Sequence, residues 1–446
     1  MTRQITTRAI AAACLVAWLA GSAGMEAQPR QRQRRHPPTS ATAVRPRAAA
    51  TVCPRCGWAP RQAGSVRIVR GLAALRKAMR EADPGATILL ADGEYQLDRT
   101  IRIDVPGLVL RGASGNRDRV ILRGAGMTGG RVGVGIAVNA RDVTIADLTV
   151  GWVSHHGIQV RGERGAGGFV VHNVRIVDTG EQLLKGSVAA NGEHADNGLV
   201  ACSLFEYTDA APSDYTNGID VLAARGWTVR DSRFERIRGP ESRGREAGPA
   251  ILFWAASGGT VVERNLIVDS YRGIALGVRA GRSKRARGQE TAFDHDGGLI
   301  RNNVVVNLSR WANEGIEVNS ARDVTVEHNT VVVEGSLDWS ISVRFPETRG
   351  TVANNLTSRE IKFRNGGAAV MKGNVTGARR DWFVDPAAAD LHLTGRAAGA
   401  IDAGVPVDAR MTDFDRRSRS VGRAPDAGAF EYAGAAPAAR GSGGPR

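Results

Sequence analysis

The sequence predicts an all-β solenoid, and three observations predict it. First, short alternating apolar segments broken by a polar or asparagine pair recur along the chain: VRDSRF from Val229, VERNLI from Val262, IRNNVV from Ile300, VEHNTV from Val326, VANNLT from Val352 and MKGNVT from Met371. VHNVRI from Val171 and VACSLF from Val200 are more diverged copies. The aligned positions Val174, Ser203, Ser232, Asn265, Asn303, Asn329, Asn355 and Asn374 return every 19 to 38 residues, most often 26 to 29. Second, a short strand motif accompanies the repeats, as GIQV from Gly157, GIDV from Gly218, GIAL from Gly273 and GIEV from Gly315. Third, no stretch of this region carries a sustained helical spacing of apolar residues. A period of this length means stacked supersecondary units rather than one compact globule.

Each unit reads as one coil. Its apolar residues alternate with outward ones, the period of a strand, and glycine and asparagine mark the turns between strands. Equivalent strands of successive coils then pair in parallel, about 4.8 Å apart. A coil of this kind buries Val, Ile and Leu and needs neighbours above and below. The architecture is a right-handed parallel β-helix of roughly nine or ten coils. The asparagines recur too regularly for catalysis, which needs a residue once. They are expected to stack at one corner and satisfy turn amides along the solenoid, so they are excluded from the site.

The repeats resemble the parallel β-helix repeat family that contains pectate-lyase-like and other polysaccharide-processing proteins. The resemblance spans roughly residues 65 to 432. SVRIVRGLAALRKAMREADPGATILLADGEYQLDRTIRI and the following LVLRGASGNRDRVILRG are similar to the N-terminal cap of such proteins, which implies a helical cap. DLHLTGRAAGAIDAG and DFDRRSRSVGRAPDAGAFE resemble the closing segment of many secreted bacterial β-helix proteins. The expected organisation is a signal peptide at 1–27, a basic linker at 28–64, a cap with the first coils at 65–135, the repeats at 136–378, a closing segment at 379–432 and a tail at 433–446.

The signal reading rests on Arg3 and Arg8 ahead of AIAAACLVAWLAGSAG, an apolar run too short to span a bilayer and ending in small residues. Cleavage is expected near Ala23 or Ala27, giving a secreted or periplasmic monomer with no membrane span. The linker, rich in Pro and Arg, and the tail read as solvated tethers. The net charge of +15 favours an acidic polysaccharide only weakly. Five of the sixty basic residues are lysines, an arginine bias that looks compositional. No nucleic-acid-binding motif is present, so nucleic acid is not the expected partner. Cys53 and Cys56 form CPRC, without further ligands at metal-site spacing, so a local disulfide is expected there. Cys202 is expected as a small buried hydrophobe in a strand.

A solenoid places function where outward residues of successive coils line up. The outward positions of the short strands give the row Gln159, Lys185, Asp220, Leu252, Ala275, Glu317, with Lys185 and Asp220 one step apart. The glycines two positions earlier are expected to leave the face open. This cleft can take a sugar chain, with Gln159, His155, Glu181, Trp254 and Glu317 as binding residues. Cleavage of a uronate by β-elimination needs a base for the proton α to the carboxylate, a cation for the enolate-like intermediate and an acid for the leaving oxygen. The expected base is Lys185, if its neighbours lower its pKa, beside Asp220. Arg225 is expected to neutralise the substrate carboxylate, and Tyr215 or His156 to supply the acid. A ladder ion pair is the structural alternative for Lys185 and Asp220. Trp311 and Trp339 are further candidate sugar platforms. The resemblance brings calcium into consideration, with DHDGG at Asp294 to Gly298 as the best acid cluster; no metal ligand is assigned.

The expected function is therefore a polysaccharide lyase or uronate epimerase. A non-catalytic carbohydrate-binding or cell-surface solenoid is the alternative, and a glycoside hydrolase the third reading. Asp220 and Glu317, three strands and roughly 14 Å apart, stand too far apart for the two carboxyl groups of hydrolysis.

Overall fold

A computed structural model describes residues 64–188, 193–278 and 291–434. The signal peptide, nearly all of the linker with CPRC, and almost all of the tail lie outside the described residues.

Among the described residues, three parallel sheets of twelve, eleven and ten strands build the fold. The chain visits them in a fixed order. From Val134–Val138 in the ten-stranded sheet it passes to Thr144–Ala146 in the twelve-stranded sheet, then to Thr149–Val153 in the eleven-stranded sheet. It returns to the ten-stranded sheet at His156–Arg161. That is one coil of a right-handed parallel β-helix. The ten strands of the shortest sheet match the sequence expectation for coil number.

Register converts the repeat into a core. Ile101, Ile136, Ile158, Leu184, Ile219, Ile251, Ile274, Ile316, Ile341 and Ile361 pair in turn down the ten-stranded sheet. Ile274 and Ile316 are 1% and 0% exposed, as the inward assignment requires. On the eleven-stranded sheet Phe205 and Phe234 stack with centroids 4.7 Å apart and planes at 10°. A side chain in such a row is covered by its own equivalents in the next coils, so burial follows from stacking rather than from distant contacts.

The corner between the twelve- and eleven-stranded sheets explains the asparagines. One residue of each two-residue turn is left-handed: Cys202, Asp231, Arg264, Asn302, His328 and Asn354 have φ between 50° and 54°. The next residue is the repeated polar one. Its oxygen accepts the backbone N–H of the equivalent residue one coil earlier: Asn303 Oδ1 from Asn265 N at 3.0 Å, Asn329 Oδ1 from Asn303 N at 2.9 Å, Asn355 Oδ1 from Asn329 N at 3.0 Å. Ser203 and Ser232 do the same through Oγ at 3.1 Å. Cys202 departs from expectation. It occupies the left-handed turn position, where the strand has already ended, and it is disulfide-bonded rather than a free hydrophobe.

The helix Leu72–Arg80 follows the first strand of the twelve-stranded sheet in sequence and buries Leu75 and Ala78 against the first coils. The chain after residue 378 leaves the coil path and folds back along one side of the solenoid. Leu391, Leu393, Ala397, Ala400, Ala427, Ala429 and Phe430 pack on Leu266, Val304, Val306, Val332 and Leu356, outward residues of the eleven-stranded sheet. Buried Arg419 pins this segment, donating to Glu431 at 2.8 Å and Asn302 at 2.7 Å.

Candidate functional site

The ten-stranded sheet carries the predicted row. Gln159 pairs with Lys185, Lys185 with Asp220, Asp220 with Leu252, Leu252 with Ala275 and Ala275 with Glu317. Period-two alternation turns all six away from the core.

Lys185 and Asp220 form an ion pair in which the Nζ donates to Oδ2, with side chains 12% and 4% exposed. Trp254 donates its indole N–H to Asp220 Oδ1 at 2.8 Å, so both carboxylate oxygens are engaged. Tyr215 Oη stands 3.5 Å from Lys185 Nζ and remains half-exposed. Burial pulls the Lys185 pKa down, but the Asp220 charge, the Tyr215 phenol and their hydrogen bonds together hold it above its usual value. The lowered pKa that the sequence reading required of a resting base is therefore not what the environment produces. Lys185 rests as an ammonium.

His156 and Glu181 flank this pair, with His156 Nε2 3.6 Å from Glu181 Oε2. Burial, then the Lys185 charge, pushes His156 down to about 3. It is a neutral imidazole at neutral pH, and its Nδ1 has no hydrogen-bond partner among the described residues. Burial raises the Glu181 carboxyl against the pull of His155 and Lys185. His155 is more exposed, 4.0 Å from Glu181.

Two expectations, Arg225 and the glycines, are corrected, and the DHDGG carboxylates are engaged elsewhere. Arg225 stands past the corner that leads to the twelve-stranded sheet. Its guanidinium faces Asp296 at 3.8 Å and its backbone bridges to Gly258. The glycines do not floor a cleft. A Cβ at Gly157 would strike the core side chain of Ile176, and one at Gly218 would lie 2.5 Å from the Ala250 carbonyl oxygen and 2.8 Å from the Phe234 ring. Glycine is needed there because the strand start passes close over the core. DHDGG does not form a ligand set for calcium. Asp294 accepts the amides of Ala255 and Val278 at 2.9 and 2.8 Å, and Asp296 is bound by Arg322 at 2.7 Å. Among the described residues no three His, Cys, Asp or Glu gather as a metal would require.

Glu317 lies four strands from Lys185, in different company. Arg272 Nε faces it at 3.6 Å and Asn319 Nδ2 donates to it at 3.2 Å. Beside it Glu314 accepts the Trp339 indole N–H at 2.7 Å. The Trp339 ring also lies under Arg364, 4.4 Å from the centroid. Trp311 lies under Arg238 at 5.5 Å.

Sequence reasoning missed Arg161. It sits two residues beyond Gln159, pairs in register with Ser187 beside Lys185, and donates to Gln159 Oε1 at 3.3 Å. The alternation that exposed Gln159 also exposes Arg161. Extending GIQV by one residue to GIQVR and reading its next outward position reveals it.

No family model matches the sequence, and no curated protein matches it. Among solved structures, pectate lyase Pel9A is similar at a TM-score of 0.58 and 16% identity, covering 83% of this chain and 96% of that one. An alginate lyase from Paenibacillus sp. str. FPU-7 aligns at 0.49 and 16% identity, covering 69% and 99%. The PL6 family alginate lyase AlyGC aligns at 0.41 and 14%, covering 70% and 51%. Identities this low speak for the backbone path and not for the chemistry on it. The chain thus has the right-handed parallel β-helix fold that pectate lyase Pel9A also has.

Proposed function

We propose that this protein is a secreted polysaccharide lyase or uronate epimerase that removes the proton α to a carboxylate of an acidic polysaccharide. One observation carries the reading. A lysine stands on the outward face, oriented by a buried aspartate that an indole fixes in turn, with a phenol at 3.5 Å. The fold shared with pectate lyase Pel9A agrees with it.

We assign the roles as follows. Lys185 is the base in its free-amine form, and Asp220 is a positioning residue. Arg161 neutralises the substrate carboxylate from the adjoining strand. Tyr215 protonates the leaving oxygen in a lyase, or the opposite face of the carbanion in an epimerase. His156, neutral and buried, hydrogen-bonds rather than supplies charge. The amine fraction grows about tenfold per pH unit below the lysine pKa. Since that pKa is raised from 10.5, kcat/KM should climb through the alkaline range.

Purified protein incubated with polyuronates and glycosaminoglycans should generate ultraviolet-absorbing unsaturated ends, or exchange the α proton for solvent deuterium without cleavage. Lys185→Ala should lower either rate by about 10²–10⁴-fold. A second reading, binding without turnover, is favoured by the paired ammonium. Retained glycan binding with neither unsaturation nor exchange at any pH would establish it in place of the first.

A further inference from the structure

The row that holds Lys185 continues to a second cluster, centred four to six strands further along. Arg344 and Arg364 occupy directly paired positions on neighbouring strands, and Arg344 pairs on its other side with Asn319. Like charges placed opposite each other oppose strand pairing. Their anionic partners do not match them. Arg364 approaches Glu314 at 3.6 Å, while Arg344 donates to the neutral Asn365 at 3.2 Å. Partial burial and then Arg364 hold the Arg344 pKa below its usual value. Lys362 adds a further positive charge, 5.3 Å from the Trp339 ring centroid.

Beneath these cations lie two carboxyl groups. Glu317 is 7% exposed and its Oε1 has no hydrogen-bond partner among the described residues; neither has Arg272 Nε, which faces it. Burial, then Glu317, raises the Glu314 pKa to about 7, which weakens its negative charge at neutral pH. On this face four cations, Arg272, Arg344, Lys362 and Arg364, accompany three carboxyl groups, Glu314, Glu317 and the exposed Glu360 that pairs with Trp339, so positive charge is in excess beside the indole.

We propose that Arg344, Arg364 and Trp339, seated over Arg272, Glu314 and Glu317, form a distant subsite for the carboxylate of an acidic sugar. The polysaccharide would then run along the solenoid axis. The paired outward row Lys185, Asp220, Leu252, Ala275, Glu317 connects the two ends. Glu317 is about 19 Å from Lys185 along the sheet, counting four strand spacings. An oligosaccharide must be several sugars long to touch both ends. The direction of the bound chain rests on the function proposed above; the anion site itself does not.

Binding is measured by calorimetry on full-length Lys185→Ala protein, so that no turnover is involved. The probes are uronic acid oligosaccharides from dimer to octamer and a neutral oligosaccharide of equal length. Arg344→Ala/Arg364→Ala should weaken the octamer at least tenfold, with less than a twofold change for any neutral ligand. Arg344→Gln alone, the milder change, should weaken the octamer at least threefold, and Arg364→Lys should keep most of the affinity. Octamer affinity unchanged in Arg344→Gln, or an equal loss for neutral ligands, overturns the subsite. The tenfold loss together with wild-type protein that never yields unsaturated product or exchange refutes the lyase reading and leaves the subsite standing.

Discussion

Two rows of the same solenoid differ in how their polar atoms are satisfied. At the asparagine corner each side chain meets a copy of itself. Asn303 gives its Nδ2 to Asn329 Oδ1 at 2.9 Å while its own Oδ1 receives the Asn265 Nδ2 at 3.0 Å. Donor and acceptor sit on one residue, so a repeat closes its own valences, and none of the buried ladder amides is left without a partner. On the ten-stranded face the row changes residue at every step. His156 Nδ1, Arg272 Nε and Glu317 Oε1 all remain without a hydrogen-bond partner there. Repetition of an amphoteric side chain yields a scaffold. A row of unlike residues leaves unused hydrogen-bonding capacity, which a ligand can take up.

The comparison breaks most visibly where both rows share a support. Ile316→Asp places an unpaired carboxylate directly behind Glu317, at a position with no exposure. Loss of cooperative folding is expected, with a cost above about 4 kcal/mol. Unaltered thermal melting would contradict the inward row.

The ladder comes next. Asn303→Ala removes the acceptor of both Asn265 N and Asn265 Nδ2. A loss of about 2–4 kcal/mol in denaturant unfolding is expected. Asn374→Ala, at the half-exposed last rung, should cost about 1 kcal/mol because water replaces the lost partner there. Equal losses at the two rungs would remove the distinction between a buried ladder and a surface turn.

The smallest effect concerns the distant face. The folded-state pKa of Glu314 is raised from 4.5 to about 7. The stability this group contributes is full below about 4.5 and is lost as pH rises through about 7, because the folded state holds the proton more tightly. Glu314→Gln, which keeps an uncharged side chain at every pH, should flatten the wild-type decline of stability in that window. A decline of unchanged slope would place the titration elsewhere.

Much of this was legible in the residues themselves. The Ile158 to Ile361 core row, the Asn265 to Asn374 ladder and the Lys185–Asp220 pairing follow from two periods, one within the strand and one between coils. Arg225, the glycines and Cys202 did not follow. Arg225 is three residues beyond the strand, where alternation no longer sets direction, and a corner carries it toward Asp296. Gly157 and Gly218 share the sequence parity of the site, yet their backbones dip over Ile176 and Phe234, a packing demand that no local pattern encodes. For Lys185 the residue was readable but its proton was not.

The sequence by itself determined the winding, the register and the direction of most strand residues, because backbone pairing and side-chain alternation are local and repeat. Only the tertiary structure decided which outward groups are buried together, and so which hold charge, as with the Lys185 ammonium, the neutral His156 and the raised Glu314. Those states depend on desolvation and on neighbours in the adjoining coils, and both exist only once the coils have stacked.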